Sequence, residues 1–325
     1  MKKNTPNPTH LSDFLWDLWC VASIIGIWPR FIEPNLLHTT KLNLKIPKLP
    51  QALHGIKILQ FSDLHLNSNV SDFFLRKLVQ KIKKLSPDLI VFTGDFLCYS
   101  QMKDKIRLQQ LLNSLEAPCG CFAILGNHDY EKSVSINPQG DYDIISKKRS
   151  MIKEGFSRLF TTVKLTKVVS PAAKSVGLHQ ELLDLLQQTP FKLLHNNTAV
   201  VPIKGSYLNL CGLGEYICGR CQPEIAFTHY DRRYPGIVLA HNPDSIPLLE
   251  SFPGDIILCG HTHGGQINIP WMWKKFTLLE NMNFKNGLHK VGTKWVYINR
   301  GIGSVMPFRW FARPEILLLS LESDS

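Results

Sequence analysis

Five short apolar runs punctuate the chain, and each ends by delivering Asp, Asn or His into a polar or glycine-rich loop. "IKILQFSDLHL" carries the pattern of a buried strand from Ile56 to Phe61, and "PDLIVFTGDFL", "CFAILGNHDY", "GIVLAHNPD" and "GDIILCGHTHGG" repeat it. Continuous apolar runs of this length, bounded by turn residues, predict strands buried on both faces. Between the first two, Phe74, Leu75, Leu78, Val79, Ile82 and Leu85 recur at helical spacing, and a second helical stretch surrounds Leu108 to Leu115. Strand, helix and strand in alternation predict an α/β fold.

Ligands of open α/β folds bind beyond the carboxyl ends of the strands, so residues just past five strand ends can meet at one point. Here those residues are Asp63 and His65, Asp95, Asn127 and His128, His241, and His261 and His263. Carboxylates, an amide oxygen and imidazoles form a mixed oxygen and nitrogen donor set, suited to manganese, iron, zinc or a similar divalent ion rather than to a thiolate zinc finger. A single His after a strand is more often a turn or core residue; five such loops in one chain are not explained that way. In "GHTHGGQI", Gly260, Gly264 and Gly265 leave room for close backbone approach and dihedrals closed to other residues. An extended His261-Thr262-His263 would send both rings to one side.

Ahead of the first strand, Leu18 to Pro29 is free of charge, while Asp13 and Asp17 interrupt the apolar positions before it. Spanning a bilayer takes roughly 20 apolar residues, and this run is shorter. Trp16, Trp19 and Trp28 favour the headgroup boundary. Residues 1–40 are therefore expected to lie in a membrane surface or insert shallowly, with a buried core helix and a true span as alternatives, and 41–325 to form the main domain. Within that domain 131–177 is longer than a connecting loop. Ile145, Ile152, Phe156, Leu159 and Val163 share one helical face there, and Lys147, Lys148, Arg149, Lys153, Arg158, Lys164 and Lys167 outweigh Asp143 and Glu154. This pattern predicts a basic amphipathic helix serving as a membrane-facing lid or acyl-chain groove, against the alternative of an ordinary solvated helix.

Composition adds three constraints. With 325 residues and 44% hydrophobic content the chain can bury a sizeable core. A balance of 37 Lys and Arg against 26 Asp and Glu favours an anionic partner. Nucleic acid is disfavoured, because the basic residues are dispersed without the aromatic interleaving of a single-strand platform. The 8 cysteines are too sparse for a disulfide scaffold, which points to a reducing compartment. "CGRC" at Cys218 to Cys221 lacks the second pair that a zinc site needs.

The blocks "SDLHL", "GDF", "GNHD", "AHNPD" and "GHTHGGQI", followed by "NRGIG" at Asn299 to Gly303, resemble in residues and order those of the calcineurin-like metallophosphoesterases, from about Leu44 to the C-terminus. The resemblance implies a four-layer α/β/β/α sandwich, here with an inserted amphipathic helical segment and the N-terminal membrane-associating segment. It also implies two divalent ions, manganese first, with iron, zinc or magnesium as alternatives. On that pattern Asp63, His65 and His263 hold one ion, Asn127, His241 and His261 the other, and Asp95 bridges them. His128, oriented by Asp129, would act as charge stabiliser or proton donor, with a hydroxide shared by the ions as nucleophile.

At whole-chain level the sequence is similar to the UDP-2,3-diacylglucosamine pyrophosphatases of lipid A biosynthesis within that family. This likeness implies an amphiphilic nucleotide-lipid substrate, cleaved at the cytoplasmic face of the inner membrane to 2,3-diacylglucosamine 1-phosphate (lipid X) and UMP. Arg220 is a candidate contact to its anionic head, and Arg309 and Arg313 are weaker ones, with a structural role as the alternative for all three. A phospholipid, a cyclic nucleotide or an envelope precursor is the alternative substrate. A binding module that had lost its chemistry should lack ligands, and here all are present.

Overall fold

The computed structural model describes residues 8–145, 163–270, 273–306 and 308–323. All five apolar runs are strands, at Lys57–Phe61 (β2), Leu89–Thr93 (β3), Cys121–Ile124 (β4), Gly236–Leu239 (β10) and Ile256–Cys259 (β11). The others are His38–Ile46 (β1), Val134–Ile136 (β5), Tyr142–Ile144 (β6), Phe191–Leu193 (β7), Asn197–Ile203 (β8), Ser206–Gly212 (β9), Gly287–Val291 (β12), Lys294–Ile298 (β13) and Glu315–Ser323 (β14). Two sheets result, in the orders β1-β14-β2-β3-β4-β7 and β12-β13-β11-β10-β9-β8, beside a β5-β6 hairpin. β2, β3, β4 and β7 are parallel, as are β9, β10, β11 and β13, so the five loops that carry the candidate donors leave parallel strands at their carboxyl ends.

The sheets pack face to face through Ile58, Leu89, Val91, Phe122, Ile124, Leu210, Ile237, Leu239, Ile256, Leu258 and Leu319. Their alternate residues face outward, as period-two geometry requires. On the first sheet Leu59, Phe61, Ile90 and Phe92 meet helices Asp72–Leu85 (α2), Lys105–Asn113 (α3) and Gln180–Leu186 (α5). Ser71 caps α2 by accepting the Phe74 N–H at 3.1 Å, and Phe74, Leu75, Leu78 and Ile82 turn inward. On the second sheet Cys211, Val238, Ile257 and Cys259 are covered by short helical turns at Pro223–Ala226 and Pro243–Leu249. The architecture is thus the expected α/β/β/α sandwich, with a thin fourth layer.

The N-terminal segment departs from expectation in length. Helix α1 (Pro8–Ala22) runs on through a stretch wound as a π-helix (Ser23–Ile32) and one turn at Glu33–Asn35. Leu11–Asn35, 25 residues, is long and apolar enough to cross a membrane, because Asp13 and Asp17 do not break the helix. It is no core helix either, since Trp16 and Trp19 are 66% and 58% exposed. Its domain end is anchored: the Arg309 N–H donates to the Pro29 carbonyl (2.8 Å), and the Ala312 N–H to Glu33 Oε1 (2.6 Å). β1 then starts at His38, slightly ahead of the change expected at Lys41, and pairs in parallel with β14 along its length.

In the insertion, the helix expected over Ile152, Phe156 and Leu159 lies outside the described residues. What flanks it is docked: the Tyr142 hydroxyl of β6 donates to Glu280 Oε1 (2.9 Å), and Lys167 pairs with Glu280 Oε2 (3.0 Å). Helix α4 (Pro171–Ser175), capped by Ser170, follows.

Candidate metal centre

Five donor-bearing residues, Asp63, His65, Asp95, His261 and His263, hold positive φ between 43° and 70°. Each non-glycine residue in that region costs about 1 kcal/mol or more, and Asp, Asn and His tolerate it best. Hydrogen bonds fix the turns: the Asp63 N–H donates to the Gly94 carbonyl (2.9 Å), the His65 N–H to the Asp95 carbonyl (3.0 Å), and the Gly303 N–H to the Asp63 carbonyl (2.7 Å). The 261–263 segment is not extended. Left-handed His261 and His263 flank right-handed Thr262, so the two rings diverge through backbone twist instead of strand geometry. Gly264, at φ 62°, continues the turn, and a side chain at Gly260 would strike Ser62 Oγ and Asp63 Oδ2.

The donor atoms form two adjoining clusters. In one, His65 Nε2 lies 3.1 Å from His263 Nε2 and 4.0 Å from Asp63 Oδ1, which is 3.7 Å from His263 Nε2. In the other, His261 Nδ1 lies 3.0 Å from Asn127 Oδ1 and 3.3 Å from His241 Nε2. Asp95 Oδ2 stands between them, 3.4 Å from His65 Nε2 and 3.2 Å from His241 Nε2. All seven metal ligands expected from the sequence therefore converge, with Asp95 at the junction.

Their outer contacts aim them. His65 and His241 donate Nδ1–H to the carbonyls of Leu97 (3.1 Å) and Thr93 (2.6 Å), which leaves both Nε2 lone pairs facing inward. Asn127 donates Nδ2–H to the Val134 carbonyl (2.8 Å), turning its oxygen to the site. Burial pushes the pKa of His65 down to about 3, and burial with His241 beside it does the same to His261. Burial also opposes a charge on His241, yet Asp95 raises its pKa well above the usual value. Imidazole nitrogens crowded around two carboxylates, one of them drawing a proton onto His241, call for cations, and the donor set fits two divalent ions. Such ions supply a nucleophilic oxygen at neutral pH and polarise phosphoryl oxygens.

The expected contact of Asp129 with His128 is not made. Asp129 Oδ2 accepts the N–H groups of Asp95 (2.7 Å) and Gly126 (3.0 Å), and Oδ1 that of Leu97 (2.9 Å). Its carboxylate holds the bridging loop in shape. The His128 ring is oriented by Tyr99, whose N–H donates to Nδ1 at 3.0 Å, with Ser133 Oγ at 3.2 Å. With burial lowering its pKa, His128 is a neutral ring that carries its proton on Nε2. The ring packs edge-on against His65 at 4.8 Å, beside the ligands.

Arg309 is a second correction. Its guanidinium is fully buried and donates to the carbonyls of Arg300 (3.0 Å), Ala312 (2.8 Å), Gly301 (3.2 Å) and Gly303, with His263 Nδ1 at 3.4 Å. It braces the "NRGIG" loop and is closed to substrate. Arg220 is half-buried and donates to the Val176 carbonyl (3.0 Å), tying "CGRC" to the insertion. Burial pushes the Cys221 thiol up to about 12 and raises that of Cys218 as well, so this pair is packing. Sequence reasoning passed over Glu215, which is buried with Oε2 unpartnered and raised to about 7, foremost by burial. Its only signal was a carboxylate in the apolar stretch "CGLGEYIC".

The model of the calcineurin-like phosphoesterase family matches residues 56–265, covering all seven donors. The chain is a calcineurin-like metallophosphoesterase. It is accordingly a metal-dependent phosphoester hydrolase. This metallophosphoesterase is 40% identical to the UDP-2,3-diacylglucosamine pyrophosphatase LpxG of Chlamydia trachomatis over 90% of this chain and 92% of that one. It is 39% identical to LpxG of Chlamydia muridarum over the same shares. Against the phosphodiesterase YaeI of Escherichia coli, identity is 30% over 82% of each chain.

Proposed function

We propose that this enzyme hydrolyses the pyrophosphate of UDP-2,3-diacylglucosamine at the cytoplasmic face of the inner membrane. Water adds to the uridylyl phosphorus, the bond to the bridging oxygen breaks, and UMP and 2,3-diacylglucosamine 1-phosphate leave. The observation that carries the reading is a likeness to LpxG that extends over nine-tenths of both chains. The apolar helix supports it further. β1 runs parallel to β14, and β14 antiparallel to β2, so the helix enters the sheet at the end where β2, β3 and β4 deliver their metal ligands. A bilayer holding that helix would face the metal centre. In this site His128 Nε2–H serves as the donor to the leaving oxygen, and half-buried Arg220 is the candidate for the anionic head.

A second reading, a phosphodiesterase for another membrane-borne ester, takes its support from the likeness to YaeI. Assay of the purified protein in detergent, with manganese added or chelated, separates the two. Metal-dependent release of UMP from the lipid nucleotide, abolished in Asn127→Ala, is the expected result. Cleavage of a soluble bis-aryl phosphodiester alone would sink the lipid nucleotide assignment and leave the hydrolase.

A further inference from the structure

A groove of about 630 Å³ separates the helix from the segment leading into β14. Ile24, Ile27 and Trp28 form one wall and Trp310 and Phe311 the other, and the polar residues that line it are Glu33, His38, Arg300 and Arg313 beside Ser23. Its size is within the range of roughly 300–1,000 Å³ that small-molecule sites occupy. It also adjoins the metal centre: the Arg300 side chain lies against Gly264, next to His263, where an added Cβ would come within 2.7 Å of Arg300 Cγ. Glu315 holds the Arg300 guanidinium in place at 3.0 and 3.1 Å, so that part of the lining is preformed. The helix that forms one wall extends beyond the groove toward its N-terminus, where outward residues from Leu11 to Val21 are exposed.

A mainly apolar groove that includes Arg313, with Arg300 reaching the metal loops and a membrane-seeking helix as one wall, suits the chain of an anionic lipid. We propose that this groove seats an acyl chain of the substrate, which slides out of the bilayer along the helix until its phosphate reaches the metal centre; the inference rests on the reading of an amphiphilic nucleotide-lipid substrate. The groove is built by the N-terminal helix and the 310–313 segment, so it is separate from the insertion to which the sequence assigned lipid contact. Accommodation of the chain replaces water against Ile27, Trp28 and Trp310, and each buried methylene adds to the affinity.

Ser23→Trp and Ile27→Trp would fill the groove in the full-length protein. The expected result is that kcat/KM for UDP-2,3-diacylglucosamine, relative to a soluble bis-aryl phosphodiester, falls about tenfold or more, chiefly through KM. An unchanged ratio in folded variants would overturn the proposal. Wild-type protein that cleaves the soluble ester and not the lipid nucleotide would overturn the functional reading instead. In that case, or if the variants fail to fold, a photoreactive diacyl phosphate is cross-linked to the wild-type protein. Labelling of Trp310 or Phe311 that unlabelled lipid competes away supports the groove, and labelling confined to Leu11–Val21 without competition refutes it.

Discussion

Single residues divide into those that chemistry made legible and those that only three dimensions reveal. The candidate metal donors were legible because Asp, Asn and His at strand ends have few other reasons to recur, and all seven meet within the two clusters. Partners were not, because a side chain that serves a backbone N–H leaves no mark on the residue served. Thus Asp129 goes to the amides of Asp95 and Leu97, and His128 takes that of Tyr99. His128→Ala should lower kcat by about 10²- to 10⁴-fold with metal content unchanged, as read by steady-state kinetics beside metal analysis. Glu215 yields a prediction about pH. Its pKa stands at about 7 when folded against 4.5 when free, so the folded protein keeps a proton that the unfolded chain gives up. Stability conferred by that proton is complete below 4.5 and is lost as pH rises to about 7, about 3 kcal/mol in all. In chelator-treated protein, Glu215→Gln should therefore raise Tm at pH 8 and leave it unchanged near pH 4; equal shifts at both would contradict this.

Among the elements, central strands were legible and peripheral ones were not. β3 and β4 are buried on both faces and read as unbroken apolar runs, whereas edge strand β8 alternates buried and exposed residues across "NTAVVPI" and resembles a loop. Helix length was misjudged because two acidic residues near the start of α1 were counted as a break, although an exposed helix carries them without bending. The joint between this helix and the site is a prediction in itself. Glu33 binds both the Trp28 indole N–H (3.0 Å) and the Ala312 N–H, and Ala312 in turn accepts from Arg309. Glu33→Ala leaves a buried amide without an acceptor. It should cost about 1–3 kcal/mol in urea unfolding and speed protease cleavage between Trp310 and Arg313. Arg309→Met removes a donor from four carbonyls, of which Gly301 keeps the Glu315 N–H, and should cost at least about 3 kcal/mol, with kcat falling as His263 loses its support.

At the scale of the molecule, the sandwich turns one end toward whatever holds the helix. The proposed membrane attachment is apolar in origin, since Leu11, Phe14, Trp16, Trp19 and Ile24 lie outside the fold. Protein mixed with neutral phosphatidylcholine vesicles should sediment with them at high as well as low salt, and Phe14→Ser with Trp16→Ser and Trp19→Ser should stay in the supernatant. Release by salt would assign the attachment to the charge of +11 instead.

The pairing of β1 with β14 joins the first strand of the domain to the last, from His38 against Glu315 to Ile46 against Ser323. During synthesis the apolar helix and β1 leave the ribosome long before the strand that must be laid between β1 and β2. The first sheet therefore cannot be completed until β14 has emerged, and β1 has no neighbour in it before then. A chain stopped short of Glu315 would expose the edges of β1 and β2 at once, and pulse-chase with a stop codon at that position should show rapid degradation of a product without β14.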